Sequence, residues 1–305
     1  MNFPVVYVVI LNWNGWENTN KCIDSLKKSN YLSVFIVVVD NASTNDSLFQ
    51  ISNHIKDVSN IFLIQNLTNY GFAVGNNVGI KYSISKNADY IFVINNDTVI
   101  DSSCIQNLVN YAEENQDSSL FGPKTYDLGT FSYRQWAVKN RLDTISILGI
   151  MTPIRRIICN FAIYKSFFYT DETPASVYAI PGSAMFFRAK TIEAIGLFDV
   201  YTFLYWEEYI IAEKLLAINA VTKLVPSAII WHQLSASIAK IGARIFIENV
   251  KSERYFYQRY LKLPLLSQIL INVIRLVAYF LRCTTERDYR ERIKDFLRVY
   301  FHFRA

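Results

Sequence analysis

Apolar and polar positions along the first hundred residues fall into two alternating patterns. Short β-branched runs occur at Val5–Leu11, Val34–Val39, Ile61–Ile64 and Tyr90–Ile94. They are too short for helices and lack period-2 alternation, as parallel strands buried on both faces do. Between them lie helical windows at Glu17–Lys28, Ser47–Ile55 and Val74–Lys86, each introduced by a polar or glycine-containing turn. This β-α-β-α order predicts an α/β fold, a doubly wound and mostly parallel sheet with right-handed crossovers and helices on both faces. Further along, Ser102–Asn115 predicts a helix and Phe121-Gly122-Pro123-Lys124 a turn. A second structured stretch runs from Tyr178 to Trp231, with a helix near Lys190–Ile195. Thr144–Phe168 is apolar but carries Arg155, Arg156 and Lys165, which fits either a core helix pair or a membrane-facing insert.

Ligands to open α/β sheets bind beyond the carboxyl ends of the strands. Each of the first four strands ends in small polar residues: Asn12 to Gly15, Asp40 to Thr44, Asn66 to Asn77, and Asn95 to Thr98. Any one of these reads as an ordinary turn or helix cap; four in succession predict a polar crevice. Asp97, an acid at a strand end, can hold a divalent cation that neutralises a diphosphate, or simply close an Asx turn. Glu207-Glu208 supply a second carboxylate position. One acid on a metal and another free to accept a proton are the minimum for moving a group off a diphosphate.

Composition narrows the class. The chain has 305 residues, 51% hydrophobic, 15% aromatic and 19% charged, which excludes a disordered or collagen-like protein. No uninterrupted apolar run reaches the roughly 20 residues that span a bilayer, which argues against a polytopic membrane protein. Strand-like residues from Val5 leave no room for a signal peptide, so a cytoplasmic location is expected. Cys22, Cys104, Cys159 and Cys283 share no metal or redox spacing and fit reduced, buried thiols. Three histidines exclude a His-rich metal cluster.

The net charge of +5 is unevenly placed. Residues 240–305 hold 14 Lys/Arg against 6 Asp/Glu, and the rest of the chain 17 against 20. Within this basic tail, Gln268, Asn272, Arg275, Tyr279 and Arg282 form one polar stripe on an otherwise apolar helix, Leu265–Arg282. Such a helix among arginines suits attachment to an anionic membrane surface; packing under the domain or in a homodimer is the other reading. Nucleic acid is not expected, because the arginines flank apolar helices without a recognisable binding module. The expected division is 1–240 and a basic, amphipathic helical tail, 241–305.

Six segments carry a family resemblance. Val9 to Gly15, Val37 to Ser43, Asn69 to Asn77, Asn95-Asn96-Asp97, Gly196 to Asp199 and Phe203 to Glu208 resemble, in order, the motifs of family 2 inverting glycosyltransferases. Within that family the likeness is greatest to bacterial rhamnosyltransferases of polysaccharide and O-antigen assembly, over residues 4 to 237. The resemblance implies a GT-A fold, a nucleotide-sugar donor with Mg²⁺ or Mn²⁺, and a lipid-linked saccharide acceptor at the inner face of the cell membrane. It implies that Asn12, Asn14, Asn95 and Asn96 line the donor pocket and that Asp40 hydrogen-bonds the base. It further implies that Gly71 and Asn76 let the backbone approach the ribose and diphosphate. Asp97 and His232 become the metal candidates, Gly182 and Ser183 the loop against the acceptor with Trp206 and Glu207, and Glu208 the catalytic base. Relatives have Glu-Asp-x-Asp where this chain has Glu207-Glu208-Tyr209-Ile210, an arginine at Lys214 and a glycine at Asn219. The last is tolerable because Asn adopts left-handed backbone readily. Two rival functions are a sugar nucleotidyltransferase, against which stands the lack of Lys or Arg before Lys21, and a non-catalytic nucleotide-sugar-binding subunit.

Overall fold

The computed structural model describes residues 3–133, 141–142, 173–233 and 242–302. Thr144–Phe168 and Cys159 lie outside the described residues. The first four strands form where the apolar runs predict them, β1 (Val6–Asn12), β2 (Val34–Asp40), β3 (Ile61–Gln65) and β4 (Tyr90–Asn95). They pair in parallel in the order β3-β2-β1-β4. Helices α1 (Trp16–Lys27), α2 (Ser47–Ile55) and α3 (Gly71–Ser85) connect them.

The second half of the sheet is mixed. Beyond β5 (Thr98–Ile100) and α4 (Cys104–Glu114) come β6 (Ser118–Asp127), β7 (Ala175–Val177), β8 (Ala184–Arg188), α5 (Ala189–Ala194), α6 (Glu207–Ala217) and β9 (Val221–His232). The sheet runs β3-β2-β1-β4-β8-β6-β9-β5, with β7 on β9. The turn expected at Phe121–Lys124 is instead the middle of β6. Gly122 and Pro123 are accommodated because pairing to β8 stops at Phe121 and the ladder to β9 shifts register between Pro123 and Lys124. A proline needs no ladder bond at such an irregularity.

Both faces of the sheet are covered. Val6, Val8 and Ile10 pack with α1, α2 and α4, whereas Val9, Val93 and Phe187 pack with α3, α5 and α6. Burial on both sides is the reason that the strands read as continuous apolar runs. Helix α3 lies close against the sheet, since a Cβ on Gly79 would sit 2.5 Å from Val9 Cγ1. Cys22 and Cys104 are buried free thiols and Cys283 is half-buried. Burial pushes the Cys22 thiol up, with Asp97 adding to it, and Cys104 up likewise.

The C-terminal region folds into four helices, α7 (Ala243–Arg259), α8 (Leu265–Thr285), α9 (Arg287–Glu291) and α10 (Ile293–His302). Its core gathers Phe246, Val250, Tyr279, Tyr289 and Phe296, with Tyr279 stacked on Phe296 at 3.9 Å. The polar stripe of α8 faces inward. Asn272 Oδ1 accepts the Tyr257 hydroxyl, and Arg275 binds Glu253 through two bonds of 2.8 Å. Arg282 donates to the Tyr289 hydroxyl at 2.9 Å. The outward face of α8 is correspondingly apolar.

This region is not a loose tail. Trp206 stacks on Phe256, and Trp206 and Tyr209 pack with Tyr257 and Ile271. A cluster of this kind makes α7 part of the same packed body as the sheet.

The close approach of α3 yields a test. Gly79→Ala, which raises intrinsic helix propensity, is expected to destabilise the protein by about 1–3 kcal/mol through overpacking against Val9. Urea denaturation of the two proteins measures the difference.

Candidate active site

The four polar strand ends meet, and much of their hydrogen bonding is with one another. Asn12 is fully buried. Its Nδ2 donates to Asp40 Oδ1 at 2.8 Å and Ser43 Oγ at 3.1 Å, and its Oδ1 accepts from Thr19 Oγ1 and the Gly15 amide. Those four bonds exhaust what an amide side chain can make, so Asn12 has a different job from the expected contact with the nucleotide: it joins the first two loops. Asp40 is equally buried and is held by Ser43 through its hydroxyl at 2.6 Å and its amide at 3.0 Å. Asn96 continues this network, donating to Thr19 Oγ1 and the Gly15 carbonyl, both at 3.2 Å. Asn14 bonds across to Thr44, its Oδ1 accepting the amide at 2.8 Å. It has left-handed backbone, φ 56°.

Asp97 and His232, far apart in sequence, are brought together by strand register. β5 pairs antiparallel with β9 so that Thr98 faces His232. Asp97 Oδ1 then lies 3.0 Å from His232 Nε2, with both side chains largely buried. The Gln233 amide donates to the Asp97 carbonyl and fixes the same edge. Asn95 Nδ2 lies 3.3 Å from that Nε2, so this side-chain amide helps to orient the imidazole. A carboxylate oxygen and an imidazole nitrogen converging at a strand end fit Mg²⁺ or Mn²⁺. Such ions take one or two protein ligands and fill the remaining positions with phosphate oxygens and water. Among the described residues no cluster of three or more His, Cys, Asp or Glu offers an all-protein cage.

Glu207 and Glu208 occupy the first turn of α6, where the helix dipole favours negative charge. The chain enters this helix through two consecutive left-handed residues, Tyr205 (φ 69°) and Trp206 (φ 71°). Aromatic residues in this region cost on the order of 1–3 kcal/mol each. The compensation is visible: the Trp206 indole donates to Asn249 Oδ1 at 2.9 Å, and Ser252 Oγ donates to the Leu204 carbonyl at 2.9 Å. Trp206, expected at the acceptor, docks α7 onto the loop bearing the carboxylates.

Gly182 stands over these carboxylates. A Cβ there would meet Glu207 Oε1 at 3.5 Å and Glu208 Oε2 at 3.9 Å. Ser183 is buried, and its carbonyl accepts from the Asn95 amide at 3.0 Å. The 182–183 loop therefore links the Asp97–His232 corner to Glu208. Gly71 serves the loop that leads into α6. Its φ is +79°, and a Cβ would lie 2.4 Å from the Phe203 carbonyl oxygen. The backbone that Gly71 admits is thus Phe203, in place of the expected ribose. Asn76 is inside α3, its Nδ2 bonded to the Phe72 carbonyl and its buried Oδ1 without a hydrogen-bond partner.

The sequence reading did not find the clamp at Asp199. The Tyr255 hydroxyl, from α7, donates to Asp199 Oδ2 at 2.8 Å, and the Tyr260 hydroxyl donates to the same oxygen. Burial pushes the Asp199 carboxyl up, but these hydroxyls, the Tyr201 amide and Lys214 outweigh it and hold it below its ordinary value. Lys214, at the expected arginine position, donates to the Leu197 carbonyl at 2.7 Å, and burial lowers it against the pull of Asp199. Ile210, where an acid is usual, is core. Asn219 is left-handed at φ 54°, as its replacement of glycine requires.

The polar strand ends of an open α/β sheet thus lie beside a helix that begins with two carboxylates. The chain belongs to glycosyl transferase family 2, whose family model matches residues 7–192. It is 25% identical over 298 residues to "dTDP-rhamnosyl transferase RfbF" of Shigella flexneri, covering 95% of this chain and 92% of the relative. It is 26% identical over 173 residues to "Low-salt glycan biosynthesis hexosyltransferase Agl10" of Haloferax volcanii, covering 56% and 50%. Among solved structures it resembles GalNAc-T7 with UDP, GalNAc and Mn²⁺, with a TM-score of 0.65, 16% identity and 85% of this chain covered. The chain spans about half (49%) of that structure, and the likeness concerns the fold. The GT-A-like, mixed α/β architecture expected from the sequence is the one observed, and the enzyme is a glycosyltransferase.

The Asp199 clamp can be tested by pH. A carboxyl held below its ordinary 3.8 stabilises the fold above that pH and loses the contribution as pH falls through its lowered value. Asp199→Asn is expected to cost about 1–3 kcal/mol at pH 7. The gap from the unmodified protein should narrow in urea titrations below pH 3.8.

Proposed function

We propose that the enzyme transfers a hexosyl group, L-rhamnose from dTDP-rhamnose, to a lipid-linked saccharide at the cytoplasmic face of the membrane, with inversion at the anomeric carbon. The observation that carries the reading is the convergence of Asp97 and His232 at 3.0 Å, joined through Asn95, Ser183 and Gly182 to the Glu208 carboxylate. The donor class is supported by the family and by the 95% coverage of this chain in the match to a dTDP-rhamnosyl transferase.

Asp97 and His232 would hold the divalent cation, Mg²⁺ or Mn²⁺. When bound, it supplies positive charge to the donor diphosphate. Asn95 keeps the His232 ring oriented, and Asn14 borders the donor crevice. Asp40 and Asn12 support it from behind, and Asn96 steadies the Gly15 turn. The acceptor enters beside Gly182 and Ser183. Glu208 accepts the proton of its hydroxyl as the oxygen attacks C1 from the face opposite the diphosphate. The bond from C1 to the diphosphate oxygen breaks, and the nucleoside diphosphate leaves with the electron pair. Glu208 is one methylene longer than the usual aspartate, and its strained, left-handed lead-in sets where that longer carboxylate reaches.

The test is release of nucleoside diphosphate from dTDP-rhamnose with Mn²⁺. Glu208→Gln is expected to lower turnover by about 10²–10⁴-fold, and wild-type turnover in this variant would overturn the assignment of the base. Asp97→Ala and His232→Ala are expected to raise the Mn²⁺ concentration needed for half-maximal rate; unchanged metal dependence in both would remove the metal assignment. Release of pyrophosphate from dTTP and rhamnose 1-phosphate, with no nucleoside diphosphate formed from dTDP-rhamnose, would point to a nucleotidyltransferase.

A further inference from the structure

Helix α8 is an amphipathic helix turned inside out. Gln268, Asn272, Arg275, Tyr279 and Arg282 all point at the protein, bonded to the loop before it, to α7 and to α9. The opposite face presents Leu266, Ile269, Leu270, Val273, Val277 and Leu281, between 45% and 78% exposed. A continuous apolar stripe of this length is uncommon on a protein surface without a function. The helix is 21 residues long and apolar enough to cross a membrane.

We infer that this face docks on an anionic phospholipid bilayer, with α8 lying in the plane of the interface and its large aliphatic side chains among the acyl chains. Two observations select that occupant. First, residues 240–305 carry 14 Lys/Arg against 6 Asp/Glu, and Arg259 and Lys262 lie exposed just before the stripe, whereas beyond it Arg287 and Arg290 stand among the exposed acids Glu286 and Glu291. This surplus of positive charge complements an anionic lipid surface. A second copy of the chain laid along α8 would set one net-positive region against another. Second, a spanning orientation would pull Arg275 from Glu253 and Asn272 from Tyr257 into hydrocarbon, where unpaired polar groups are costly. With the stripe bonded inward, only the outer half of the helix is left for lipid. The inference does not depend on the sugar or the base assigned above, and its test does not use activity.

The full chain is co-sedimented with vesicles of phosphatidylcholine alone or mixed with phosphatidylglycerol, alongside the variant Leu270→Ser, Val273→Ser, Val277→Ser. These three positions are exposed, and thermal melting by circular dichroism verifies that the fold is kept. The expected result is binding to the anionic vesicles, at least tenfold weaker to neutral ones and at least tenfold weaker for the variant, reversed by detergent-free high salt. Binding by the variant equal to that of the unmodified chain would overturn the inference. So would a homodimer, seen by gel filtration with light scattering, that the variant converts to monomer while neither binds vesicles. Retention in the membrane through high-salt and alkaline washes would show a spanning helix and would overturn it as well.

Discussion

The site depends on one buried amide. Asn12, at the end of β1, spends all its hydrogen-bonding capacity on Asp40, Ser43, Thr19 and Gly15, and Asn96 attaches the fourth strand end to the same knot. Three loops and a helix start thereby hold one relative position before any ligand arrives. Leaving either partner of such a buried bond unsatisfied costs on the order of 1–3 kcal/mol. The residues that remain at the crevice, Asn14, Asn95, Asp97 and His232, are presented by this frame and by the β5–β9 register.

A second constraint sets the carboxylates. Tyr205 and Trp206 adopt backbone that neither prefers, and the contacts that hold them there come from α7. Asn249 takes the indole N–H, Ser252 the Leu204 carbonyl, and Tyr255 and Tyr260 the Asp199 carboxylate. Gly71 closes the loop from the other side by admitting the Phe203 backbone. The position of the two carboxylates at the start of α6 is therefore set by residues on α7, more than forty positions further along the chain.

Much of this was legible in the sequence. The β1–β4 strands and α1–α3 lie within a few residues of their predicted bounds, because burial on both faces writes an unmistakable apolar run. The polar strand ends were also legible as a group. What could not be read was how they divide between bonding each other and facing a ligand, since Asn12 and Asn14 look alike in sequence. Phe121–Lys124 misled because Gly-Pro usually marks a turn, and only the neighbouring strand's early end makes it tolerable in β6. The stripe on α8 was visible as a period, but no period tells which side faces inward. Tyr255, Tyr260 and Asn249 carried no signal, because their partners are more than forty residues away.

The Glu253–Arg275 pair, almost wholly enclosed between α7 and α8, bears on how the enzyme can be handled and how it can evolve. Charge divides the chain near residue 240, but mechanically there is no seam: a cut there would strip the cover from Trp206 and Tyr209 and two hydroxyls from Asp199. The C-terminal helices are a strut of the catalytic loop before they are anything else. Trimming them would remove the support of the loop that carries Glu207 and Glu208. A lineage that lost these helices would first have to find new support for that loop.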